Sequence, residues 1–400
     1  MSKMTKTKDC ILFSTADWDT PYLTNKQHMA QEFAKLGYRV LYIESLGLRK
    51  PKITSGLDFK RIFLRLFKGI KNVKKVDSNI NIWILSPLVL PFNHGNKWIK
   101  LFNQVALNLQ INFFLKRHKF SNYLIWTYHP YIMDVIKKLD FKKIIYHCVD
   151  DLSAIPGINK RSYNFEEKKL LKKTNCVFVT SKPLLKKCLQ LNKNTHYFKN
   201  VVDFEHFSKT KNIKKIPNDL KKIAEPRILI SGALSEFKMD FKFLNKIICS
   251  NEKYNFVFIG KEIEGQKSKI LKKISCYRNA YFLGLKEYKE LPNYFSNMQI
   301  AFMPIKKNKY TQSMSPMKLN EYIASGLPVI STDLNFLEDY KLTKEIVLIK
   351  KNDNFSKICT ILLRQGKLTS IRAKKIIGEN TWHERTKKML KIINKNETKF

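Results

Sequence analysis

Short runs rich in β-branched and aromatic residues alternate along the chain with longer segments whose apolar side chains recur at helical spacing. The first half predicts strands at Ile11–Ser14, Arg39–Ile43, Ile80–Leu85, Tyr123–Thr127, Ile144–His147 and Val177–Thr180. Helices are expected at Lys26–Leu36, which Gly37 stops as a C-cap would, and at Lys97–His118. A second series starts after a Lys-rich stretch with two prolines and no clear period. Its strands fall at Ile228–Ser231, Phe256–Ile259, Tyr281–Leu283, Ile300–Met303, Val329–Ser331 and Ile346–Leu348, and a helical tail covers Trp382–Asn394. Strand–helix alternation of this kind predicts an α/β fold with parallel sheets. The expected division is residues 1–211 as one domain, 212–226 as a linker, 227–378 as a second domain, and 379–400 as a tail that crosses back to the first. Two such halves in tandem would form a cleft between the C-terminal edges of their sheets, where α/β sheets take ligands.

Charge changes this picture in one respect. Seventy-five Lys and Arg against 33 Asp and Glu leave 75 − 33 = +42. The surplus favours anionic partners, whether nucleic acid, anionic lipid or phosphorylated substrates. A Lys-rich compositional bias accounts for part of it, since Asn, Ile and Phe are abundant as well. No zinc-finger spacing, RNA-recognition signature or helix-turn-helix supports a nucleic-acid partner. The seven cysteines form no C-x-x-C pair and point to a reducing cytosol. The apolar run after the basic N-terminus, Cys10 to Phe13, is too short for a secretion signal. Ile82–Phe92, interrupted by Pro87 and Pro91, falls short of the ~20 residues that span a bilayer.

Phe59–Val76 is amphipathic as a helix. Phe59, Ile62, Phe63, Leu66, Phe67, Ile70 and Val73 line one side, and Lys60, Arg61, Arg65, Lys68, Lys71, Lys74 and Lys75 the other, with no acid on that side. It reads either as an interfacial membrane helix or as a sheet-packed helix with a solvated basic face.

Candidate chemistry concentrates in Ser313–Ser331. Ser315 is placed as an N-cap and Pro316 as the first helical residue, while Gly326 closes the helix. Backbone amides and the positive dipole end suit a diphosphate, and Lys318 in the first turn adds a full charge. Glu321, three residues on, shares the face of Lys318 and can accept hydrogen bonds from ribose hydroxyls; the plainer reading is a surface Glu–Lys pair.

This stretch resembles the donor-site signature of bacterial GT-B glycosyltransferases of the glycosyltransferase-4 type, P-[LM]-K-x-x-E-Y-x-A-x-G-x-P-V. It is similar in particular to the teichuronic-acid-type transferases of the cell envelope. Asp17-Trp18 with Lys26-Gln27-His28, Tyr146–Ser153, Asn200–Asp203 with Phe207, Ile230–Leu234, Leu283-Gly284, Leu291-Pro292, Met303-Pro304 and Trp382 follow in the family's order. The resemblance implies two Rossmann-like domains and transfer of a sugar from a UDP-, GDP- or dTDP-linked donor to an envelope glycan or lipid-linked saccharide. It implies no metal and no cofactor, and a cytoplasmic enzyme, peripheral at the inner face of the membrane if 59–76 binds lipid. The alternatives are a nucleic-acid-binding protein and a sugar-nucleotide epimerase.

The resemblance places Gly232, Lys238 (with Lys242 as its alternative), Ser313, Ser315, Lys318 and Glu321 at the donor. Ser313 stands where many relatives carry the first Glu of an E-x7-E pair, and Val201 where Gly is common. Asp150, after the strand Ile144–His147, is the candidate acceptor-side base, with a helix-capping Asp pair as the plainer reading; Asp151 and His147 are its alternates. Asp17-Trp18-Asp19 matches D-x-D, a metal motif of a different fold; here it is either accidental or acceptor-binding.

Overall fold

The computed structural model describes residues 8–20, 22–46, 73–89, 97–208, 216–262, 267–340, 343–378 and 381–395. The chain forms two units, one of residues 1–199 with 383–400 and the other of residues 200–382.

The first unit is built on an eight-stranded sheet. In chain order its elements are β1 (Lys8–Phe13), α1 (Asn25–Lys35), β2 (Tyr38–Ile43), β3 (Val73–Asp77), β4 (Ile80–Leu85), α2 (Lys97–His118) and β5 (Leu124–Thr127). They continue through α3 (Met133–Ile136), β6 (Lys143–Cys148), α4 (Lys160–Lys173), β7 (Cys176–Val179), α5 (Lys182–Leu189) and β8 (Thr195–Tyr197). The sheet order is β3-β4-β2-β1-β5-β6-β7-β8, parallel except for the β3–β4 pair. The inner strands are buried along most of their length, which is why they read as continuous apolar runs rather than alternating ones. α1 starts where Thr24 and Gln27 close a reciprocal capping box, and it buries Met29, Ala30 and Phe33.

α2, α3, α4 and α5 cover the opposite face through a core that includes Leu107, Ile111, Phe114, Val135, Leu170 and Leu184. The tail helix α13 (Trp382–Lys395) closes against this unit. Thr386 meets Met29, Lys143 donates to the Ile393 carbonyl at 2.7 Å, and His383 lies 3.0 Å from Glu32.

The second unit contains α6 (Phe204–Ser208), β9 (Arg227–Ser231), α7 (Phe241–Cys249), β10 (Asn255–Ile259), α8 (Lys269–Ile274), β11 (Ala280–Phe282), α9 (Leu291–Phe295) and β12 (Ile300–Met303). After these come α10 (Met317–Ala324), β13 (Val329–Thr332), β14 (Ile346–Ile349), α11 (Phe355–Gln365) and α12 (Ser370–Ile377). Its six parallel strands run β11-β10-β9-β12-β13-β14, the doubly wound order that reverses between β9 and β12. Separate apolar cores on the two faces enclose the sheet.

Three expectations change. The units divide at 199/200 rather than within 212–226, because Val202 and Phe207 already sit in the core of the second unit. Within Phe59–Val76, residues 59–72 lie outside the described residues, while Val73–Val76 belong to β3, an antiparallel edge strand. Residues 195–197 add a strand that the pattern did not mark. No helix among the described residues is long and apolar enough to cross a membrane.

Candidate functional site

The strand reversal beside β9 brings together Gly232 and Lys318, which stand far apart in the sequence. β9 ends at Ser231, and the chain leaves it through Gly232 at φ +118°, a backbone angle that favours glycine. The Lys318 stem lies over this glycine, its Cε 3.6 Å from where a Cβ would stand. Lys318 belongs to the first turn of α10, which begins without a side-chain cap. Its ammonium meets the Glu321 carboxylate at 2.6 Å and faces the Phe295 ring at 5.9 Å. Glu321 is buried, whereas Lys318 keeps a quarter of its side chain exposed. The pair therefore joins an enclosed carboxylate to a cation that still reaches solvent beside the strand end.

α10 is held in register from two directions. The Tyr322 hydroxyl accepts from the Ser231 backbone N–H at 3.0 Å and contacts the Ser231 hydroxyl at 2.9 Å, fixing the helix against β9. Asn200 clamps the approach. Its side-chain amide donates to the Ser315 carbonyl, and its own carbonyl accepts from Asn320 at 2.9 Å. The Tyr340 hydroxyl then donates to Asn320 Oδ1 at 2.7 Å. Asn320→Ala removes the hydrogen bonds to the Asn200 carbonyl and from the Tyr340 hydroxyl in the interior, at about 1–3 kcal/mol in all. Urea unfolding of that variant is expected to show a midpoint shift of that order, and an unchanged midpoint would remove Asn320 from the scaffold.

Ser315 is not the N-cap. Pro316 occupies that position, and the Ser315 hydroxyl accepts the Asn200 N–H at 3.4 Å instead. The Ser313 hydroxyl donates to the Lys309 carbonyl at 3.1 Å. Lys238 lies on the loop after β9. Its carbonyl accepts from Lys306 at 2.8 Å and its ammonium stands 5.3 Å from the Tyr310 ring centroid. It is thus at the same sheet edge as Gly232.

Sequence reasoning passed over His206 and Tyr288, whose rings stack at 4.4 Å. Burial raises the Tyr288 phenol, and the Glu321 and Asp203 carboxylates raise it further, so it stays protonated. The Asn200–Asp203 run was the only signal pointing there.

In the first unit, adjacent β1, β5 and β6 end at one edge. The loop after β1 is pinned: Glu44 accepts the Trp18 N–H at 2.8 Å and the Ser86 hydroxyl at 2.6 Å, and Gln27 donates to the Asp17 carbonyl at 3.1 Å. Asp17 is half-buried and Asp19 exposed on this ordered loop. Asp150 is half-buried where the chain leaves β6.

Two candidates fall away as substrate contacts. Asp151 is buried against Lys187 at 3.2 Å and the Ser153 hydroxyl at 2.7 Å, a lock within the unit. His147 is fully enclosed. Arg385 of α13 approaches its Nε2 at 3.2 Å, and because guanidinium is only a donor, Nε2 accepts and the proton sits on Nδ1, toward Tyr128. Burial, then the Arg385 and Lys26 charges, holds this imidazole well below its ordinary value. It is a neutral core group with no route to a substrate hydroxyl.

Two Rossmann-like units in tandem, each built on a largely parallel sheet, are the architecture of the GT-B fold. Residues 225–364, within the second unit, match the family model of Glycosyl transferases group 1. The chain is 25% identical over 226 residues to TuaH of Bacillus subtilis (strain 168), a protein assigned by name to teichuronic acid biosynthesis as a glycosyltransferase; the match covers 52% of this chain and 55% of TuaH. A protein of the cps region of Klebsiella pneumoniae is 26% identical over 49% of this chain and 54% of its own length. The chain thus spans about half the length of the curated relatives it matches. Sucrose-phosphate synthase of Thermosynechococcus elongatus shares the fold at a TM-score of 0.67 and 14% identity, over 98% of this chain and 99% of that one. HepE of Anabaena, in complex with UDP and glucose, does so at 0.62 and 12%, over 96% and 100%.

Proposed function

We propose that this chain transfers a sugar from a nucleotide-sugar donor to an envelope glycan or a lipid-linked saccharide. The observation that carries the reading is Lys318 in the first turn of α10, its stem over Gly232 after β9 and its ammonium paired with Glu321. The group 1 match favours transfer over the epimerase and nucleic-acid alternatives.

The donor diphosphate is taken by the α10 amides and by Lys318, with Lys238 adding a second charge. Glu321 offers its other oxygen to the ribose hydroxyls. Asp150 receives or orients the acceptor hydroxyl proton, with Asp17 and Asp19 holding acceptor sugar hydroxyls. As the acceptor oxygen bonds to the sugar C1, the C1–O bond to the diphosphate breaks and its electron pair leaves with the nucleoside diphosphate. Cations and helix amides stabilise that departing charge, without a metal or cofactor. The proposed setting is the cytoplasmic face of the membrane, with 59–76 as one candidate for contact with anionic lipid.

Calorimetric titration with UDP-, GDP- and dTDP-sugars is expected to find one nucleotide class bound, with the sugar released onto saccharide when acceptor is added. Binding of none of the three overturns the reading.

A further inference from the structure

A 22-residue helix that packs on a sheet has one face to bury and one to leave in water. α2 buries Leu107, Ile111 and Phe114. Its opposite face is apolar as well. Trp98, Leu101, Phe102, Val105, Leu109 and Phe113 stand between 42 and 80% exposed, and their spacing places them within one third of the helix circumference. Singly exposed apolar residues need no account, but six along one stripe mark an interaction surface.

The charge around the stripe names the occupant. α2 contains no Asp or Glu, and Lys116 and Arg117 end it exposed. The neighbouring α4 meets α2 where Lys100 lies 3.5 Å from Glu166. Along its outer side α4 exposes Lys168, Lys172 and Phe165. Two copies of this helix brought together would set cation against cation, on a chain whose net charge is already +42. An anionic bilayer satisfies both features at once: the ring edges and leucines enter the acyl boundary, and the lysines stay at the headgroups.

We propose that the exposed face of α2, flanked by the basic side of α4, is a docking surface for anionic lipid. The surface is formed by other segments of the chain than the basic stretch 59–76 and does not depend on the donor chemistry. It lets the protein lie on a bilayer without spanning it, since the inner face of the same helix is committed to the core.

The test uses the full chain with vesicles of phosphatidylglycerol and phosphatidylcholine against vesicles of phosphatidylcholine alone. Co-sedimentation is expected with the anionic vesicles and to fall as salt is added. Trp98 emission is expected to move to shorter wavelength on binding, a change absent in Trp98→Phe. Leu109→Ser with Phe113→Ser is expected to weaken binding by about a hundredfold, about tenfold for each side chain removed from lipid. These positions are exposed, so circular dichroism and thermal midpoint should hold. Lys168→Glu with Lys172→Glu should weaken binding to anionic vesicles as well.

Four results would overturn the proposal. One is no binding at low salt, and another is equal binding to both vesicle types. A third is binding untouched by the serine pair but lost on charge reversal between Lys60 and Lys75. The fourth is a concentration-dependent dimer, seen by sedimentation velocity, that the serine pair abolishes.

Discussion

Asp150→Asn is expected to leave nucleotide-sugar affinity unchanged and to lower sugar transfer by about 10²–10⁴-fold, the range a positioned general base contributes. Asparagine keeps the size of the side chain and loses the negative oxygen that is proposed to take or orient the acceptor proton. The structure narrows the choice of residue here. Of the groups at the end of β6 and just after it, Asp151 is held in the interior by Lys187 and Ser153, and His147 is sealed and neutral under Arg385. Asp150 is the half-buried carboxylate at that strand end. Single-turnover transfer measured beside calorimetric donor binding separates chemistry from affinity. Full transfer by the variant would pass the role to a group on the substrate or to the Asp17 loop.

Glu321→Ala is expected to weaken donor binding by about 10- to 150-fold, the equivalent of one charge-assisted hydrogen bond of about 1.5–3 kcal/mol. Two effects point the same way. The ribose loses its acceptor, and Lys318 loses the partner that holds its ammonium beside Gly232. Glu321→Gln retains the shape and a hydrogen-bonding oxygen but not the charge, and is expected to fall between the alanine variant and the native protein. The converse change, Lys318→Met, leaves a buried carboxylate without its cation. That is expected to cost about 3–5 kcal/mol of folding stability besides affinity, since a buried ion deprived of its partner is penalised strongly. Calorimetry and urea unfolding on the same samples distinguish the two losses. Unchanged affinity in a folded Glu321→Ala protein would take this residue out of the site.

What was legible from sequence is local and short in range. Ile300–Met303 and Ile80–Leu85 form as their patterns predict, and α2 runs Lys97–His118 as its spacing predicts. Buried parallel strands need unbroken β-branched and aromatic runs, and the helix between them needs only its own periodicity. The Lys318–Glu321 pairing is of the same kind, since residues three apart on a helix are neighbours whatever surrounds them.

Tertiary structure decided whatever depends on a distant partner. Ser315 satisfies every local rule for a cap, yet Asn200, far off in sequence, takes its hydroxyl, and Pro316 opens the helix. His147 lies at a strand end where a base could stand, but Arg385 of the tail encloses it. Val73–Val76 continues the amphipathic pattern of the preceding residues, and pairing with β4 makes it a strand, because two-residue alternation and helical spacing coincide over so few positions. α2 shows the limit most plainly. Its sequence carries apolar residues on two opposite faces, so periodicity predicts a helix but cannot choose the side that faces the sheet. Packing puts Leu107, Ile111 and Phe114 inside and leaves Phe102, Leu109 and Phe113 on the surface.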